Sequence, residues 1–97
     1  MEELKVTEIF EDRNPAQVFE AGRVAFADLD MRIVKDRSFA LLLQACTTGD
    51  HVTNANFIVN GFQNEFTLTL ASETADQDAL KILANRFVEA LNNHLIE

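Results

Sequence analysis

Asp28 and Asp30 stand one residue apart in Asp28-Leu29-Asp30-Met31-Arg32-Ile33, a stretch that alternates polar and apolar side chains. On an extended strand their carboxylates project from one face about 6.6 Å apart. Oxygen ligands so placed suit Mg²⁺, but two carboxylates without a third ligand or a phosphate-binding loop make a weak cage. A solvated strand face explains the pair better. Asp50-His51 has the composition of an orienting acid and a general base. Adjacent strand residues point to opposite faces, however, and the preceding Thr47-Thr48-Gly49 reads as a turn. Neither His51 nor His94 is therefore expected to act in catalysis. Cys46 lies in an apolar run with no basic neighbour to stabilise a thiolate, which predicts a small core residue. The sequence has no Gly-rich phosphate loop, G-x-S-x-G, H-E-x-x-H or C-x-x-C. One Cys and two His exclude an internal disulfide framework, and a four-ligand zinc site would need carboxylate help. The expectation is a non-enzymatic chain with no cofactor, no metal and no catalytic residue.

The elements around these residues are legible from periodicity. Leu80, Leu83, Ala84, Phe87, Val88, Leu91 and Leu95 recur at helical steps, predicting a long amphipathic C-terminal helix. Thr74 and Gln77 have capping-box spacing at its start, with Glu73, Asp76 and Asp78 at the positive end of the helix dipole. The opposite face carries Lys81, Asn85, Arg86, Glu89, Asn92 and Asn93. Helix-on-sheet packing is the commoner use of such a stripe, with a dimer seam as the alternative.

Asn60-Gly61 between Phe57-Ile58-Val59 and Phe62 predicts a two-residue hairpin with Val59 facing Phe62. That register puts Phe57, Val59, Phe62, Phe66, Leu68 and Leu70 on a core face and Gln63, Glu65, Thr67 and Thr69 in water. Residues 28–33 and the apolar run 39–46 read as a second hairpin joined by Lys35-Asp36-Arg37-Ser38, a helix through 38–46 being the alternative. Asn14-Pro15 predicts a helix start, and Gly22 is preferred as its stop over a continuation through Ala25, Phe26 and Leu29. The predicted order is β-α-β-β-β-β-α. The class is α+β: a mostly antiparallel four- or five-stranded sheet, with a short N-terminal helix and a long C-terminal helix packed on one face.

The 97 residues suit a single domain, 1–97, of ordinary globular composition. The start lacks the basic and apolar regions of a signal peptide, and no stretch approaches the roughly eighteen apolar residues of a membrane span, so a cytoplasmic location is expected. Eight bases against sixteen acids give a net charge of −8, which repels nucleic acid and anionic membranes and points to basic protein partners. The charges are unevenly spread. Residues 1–20 hold six acids and two bases, residues 21–37 three acids and four bases, and residues 38–80 five acids and no base. Ordinary surfaces intersperse the two signs. Acidity alone also keeps a chain soluble, and capping explains the acids at the helix start.

In size, acidity, compact α+β pattern and lack of catalytic motifs, the chain resembles the small phage-encoded inhibitors that mimic DNA, some anti-CRISPR proteins among them. The resemblance spans the whole chain in charge and size and includes no matching motif, so it carries over no residue. It implies an inhibitor whose carboxylates imitate phosphates and block the basic nucleic-acid groove of a larger complex, such as a CRISPR surveillance complex. The expected contacts are Glu11, Asp12, Asp28, Asp30, Asp36, Glu65, Asp76 and Asp78, which cannot all share one face. The alternative is an immunity protein or small dedicated chaperone that docks through the Thr/Asn/Gln hairpin face or the C-terminal helix, with an apolar anchor and modest salt sensitivity. An edge strand and the long helix each offer a homodimer surface.

Overall fold

The chain forms the predicted order of elements. The computed structural model describes residues 2–49 and 52–95. Strand β1 (Glu2–Ile9) leads to helix α1 (Pro15–Asp28), then β2 (Arg32–Arg37), β3 (Leu42–Cys46), β4 (Thr53–Asn60), β5 (Glu65–Ser72) and helix α2 (Gln77–Leu95). The strands make one antiparallel sheet in the order β1-β5-β4-β3-β2. Alternate strand residues and the apolar stripes of both helices form one cluster, so both helices cover the same face.

At the start of α1, Asn14 Oδ1 accepts from Ala16 N at 2.8 Å and Gln17 Oε1 accepts from Asn14 N at 3.0 Å, a capping box with Pro15 as the first helical residue. Gly22 does not stop this helix. A Cβ there would lie 2.3 Å from Phe57 Cε2, so the missing side chain is what lets α1 settle onto β4, and packing overrides glycine's weak helix propensity. The stop comes at Asp30, in the left-handed conformation at φ 57°, where Met31 N donates to Phe26 O at 2.9 Å and Asp30 N to Ala27 O at 3.1 Å. Asp28 and Asp30 are thus at a helix end, and not on an alternating strand; β2 begins only at Arg32.

The β4–β5 register also differs from the two-residue turn. Val59 pairs with Phe66 and Asn60 with Glu65, leaving a four-residue loop, 61–64. Asn60 Oδ1 accepts from Phe62 N at 3.0 Å and Gln63 N at 3.3 Å, and Asn64 takes the left-handed position at φ 51°. Phe57, Val59, Phe66, Leu68 and Leu70 are buried, whereas Phe62 is ejected into solvent. The apolar run divides similarly: Ser38–Ala40 is a 3-10 turn, Leu41 is left-handed at φ 53°, and only Leu42–Cys46 is strand.

At the start of α2 the cap is Asp76, two residues beyond Thr74: its Oδ1 accepts from Ala79 N at 2.9 Å. Gln77 reaches back to β1, its Nε2 donating to Glu2 Oε2 at 2.8 Å and Glu3 O at 2.9 Å. The core centres on rings: Phe87 lies 4.6 Å from Phe26 and 5.2 Å from Phe57, whose ring is 5.4 Å from that of Phe66. No helix among the described residues is long and apolar enough to cross a membrane.

Candidate protein-binding face

Among the described residues, no helix covers the second face of the sheet. The strand register lays its residues out in rows that run from β1 to β2. One row reads Glu3, Ala71, Asn54, Cys46, Arg32; the next Lys5, Thr69, Asn56, Gln44, Lys35; the third Thr7, Thr67, Ile58, Leu42, Arg37; a short fourth row holds Ile9, Glu65 and Asn60. Its middle rows are mainly Thr, Asn and Gln with charged residues toward the edges, and Thr7 Oγ1 and Thr67 Oγ1 are in hydrogen-bond contact at 3.2 Å. Cys46 lies here, half-buried between Asn54 and Arg32, and not in the core as its apolar run suggested.

Where the third row crosses β4 and β3, at Ile58 and Leu42, the surface turns apolar, and a groove opens beside it at the end of the sheet. Ile58 is 46% exposed, Phe39 83% and Phe62 102%, the last as open as in an extended chain. They line a groove of about 510 Å³ with Pro15, Ala40, Leu41, Val59, Asn60 and Gly61. Two local features build it. The four-residue β4–β5 loop turns Phe62 outward, and Gly61 fits there because a Cβ would already lie 3.2 Å from Pro15 Cγ. On the other side, left-handed Leu41 accepts from Val59 N at 3.0 Å, which ties the 3-10 turn bearing Phe39 to β4. A left-handed leucine costs about 1–2 kcal/mol, a strain the surrounding structure must sustain.

Each of the three full rows ends on a cation of β2: Arg32, Lys35 or Arg37. All three are exposed, and among the described residues none is in an ion pair. The strand's own acid, Asp36, lies opposite Leu43 and so faces the helix side, where Arg23 of α1 binds it. Arg23 also bonds Glu20 at 3.1 Å and lies 5.1 Å over the Phe19 ring. A bulge at Val34, between paired Ile33 and Lys35, interrupts this edge.

The eight predicted contact carboxylates fall into separate groups. Glu65 pairs with Ile9 near Glu11 and Asp12 at one end of β1, whereas Asp76 and Asp78 begin α2 at its other end, about 24 Å along the strand. Asp28, Asp30 and Asp36 lie around the end of α1 and β2. Asp36 is held by Arg23, Asp76 caps α2, and Asp28 Oδ2 is 2.6 Å from His94 Nε2, tying the C-terminal ends of the two helices together. A groove of about 370 Å³ beside His94 is lined by Arg13, Gln17, Glu20, Ala21, Val24 and Leu95. This set includes no Ser, Thr or Cys that His94 could activate. Among the described residues no three His, Cys, Asp or Glu side chains are grouped to hold a metal ion. Asp50 and His51, the other acid–base pair, lie outside the described residues.

Sequence reasoning missed Phe39 and Phe62. The available signal was their setting: Phe62 within Asn60-Gly61-Phe62-Gln63-Asn64 and Phe39 beside Ser38, both among turn formers. Compared with protein-family models and with curated proteins, the chain matches none.

Proposed function

We propose that this chain is a non-enzymatic protein-binding module, of the immunity-protein or dedicated-chaperone kind, that holds its partner on the uncovered sheet face with Phe39, Phe62 and Ile58 as the apolar anchor. The observation that carries this is the pair of outward phenylalanines flanking a groove at the end of an otherwise polar sheet face. Two rings held in water by a strained turn and a hydrogen-bonded loop contribute nothing to the core, and aromatic anchors of this type dominate protein interfaces. The test is affinity capture from a lysate of the organism that carries the chain, comparing the parent with Phe39→Ser/Phe62→Ser. A partner retained by the parent at high salt and in the presence of excess duplex DNA, and lost with the double variant, supports the reading. Equal retention by both proteins removes it.

Phosphate mimicry is the second reading, and it rests on the acids gathered at the end of β1. Glu8 and Glu11 line a common groove there, with Asp12 next in the chain and Glu65 paired to Ile9. It predicts a partner displaced by both DNA and salt, and loss of binding on reversal of Glu11, Asp12 and Glu65.

A further inference from the structure

We infer that the partner segment taken by this face is acidic and extended: a stretch alternating carboxylate and apolar residues, whose large apolar end enters the Phe39/Phe62 groove while its carboxylates meet Arg37, Lys35 and Arg32. The inference rests on the protein-binding reading above and adds the chemistry of the ligand. In a chain of net charge −8, the uncovered face carries four cations, Lys5, Arg32, Lys35 and Arg37, against two carboxylates, Glu3 and Glu65. Three of the cations stand along β2, starting beside the apolar groove, and Asp36, the acid that could neutralise them, is turned away to Arg23. From Arg37 to Arg32 the strand covers about 17 Å, with cations two and three residues apart. Carboxylates on alternate residues of an extended chain recur every 6.6–6.8 Å or so, close to that spacing.

The bulge at Val34 leaves β2 a poor template for a further strand, so the segment lies on the face and does not extend the sheet. A nucleic-acid strand would also present regular negative charge. However, the net charge of the whole molecule opposes it, and the exposed rings, Phe39 and Phe62, stand together at the groove and not along the cation row where successive bases would stack. A peptide whose few carboxylates sit only over the β2 side avoids that repulsion.

The experiment titrates the full chain against three labelled probes. These are a peptide of about eight residues, extended over about 27 Å, alternating Glu with Leu and ending in Phe; the same peptide with Lys for Glu; and oligothymidylate. The acidic peptide should bind and the basic one should not. R32E/K35E/R37E should weaken the acidic peptide about tenfold at low salt, with the difference shrinking as salt screens it. F39S/F62S should weaken it by a similar factor, and circular dichroism should find both variants folded. Absence of acidic-peptide binding, or indifference to the charge reversal, overturns the inference. In either case, a Phe39- and Phe62-dependent partner from lysate capture leaves the protein-binding reading standing, and loss of that dependence removes both. Tighter binding of oligothymidylate, or self-association abolished by the same variants, also overturns it by naming a different occupant.

Discussion

Phe57 and Ile58 are neighbours on β4, yet Phe57 is fully enclosed by rings from α1, α2 and β5 while Ile58 stands 46% exposed on a face that no described element covers. The strands are common to both faces, and what differs is the source of their order. The helix-covered face is fixed by burial, and substitutions there act on folding. The bare face contributes pairing and solubility, so the two outward phenylalanines and the strained Leu41 at its margin, and the β2 cations that make no ion pair among the described residues, have no evident use within the molecule. A domain of this size gains little from placing rings in water. The contrast between faces is what turns a fold into a functional proposal.

Substitutions on the covered face should give the largest effects. Phe57→Ala should cost about 3–5 kcal/mol, read by urea denaturation, because it empties the centre of the ring cluster. Gly22→Ala should destabilise by about 1–3 kcal/mol through its collision with Phe57, less what the better helix former returns, and adding Phe57→Leu should recover part of the loss. Asn14→Ala should cost about 1 kcal/mol by opening the capping box of the helix that covers the sheet. Phe39→Ser/Phe62→Ser should leave the denaturation midpoint within error of the parent. A clear loss of stability there would break the comparison by showing that the two rings serve the fold.

Legibility followed the range of the interactions. The Asn14-Pro15 helix start, the period of α2 and the alternation of β5 are local, and each was readable from the chain. Gly22 was misread because a glycine that ends a helix and one that admits a ring from a strand 35 residues away look alike in sequence. Phe62 was assigned to the core because Asn-Gly favours a two-residue turn, whereas Asn64 took the left-handed position and lengthened the loop. Among the candidate site residues, the acids were visible as charges but not as neighbours. Arg23 with Asp36 and His94 with Asp28 pair only through tertiary packing. The cations of β2 were visible as a locally basic stretch, but that they line the face left bare by the helices required the register.

On the protein-binding reading the bare face, and not the acidic end of β1, makes the contact. The most direct test is calorimetry of the purified partner against the parent, F39S/F62S and E11K/D12K/E65K. The phenylalanine variant should lose about a hundredfold or more in affinity, as expected for a pair of aromatic anchors, and the acid reversal should change it within about threefold. Unchanged affinity for F39S/F62S, with binding abolished by the acid reversal, would contradict that reading and put phosphate mimicry in its place.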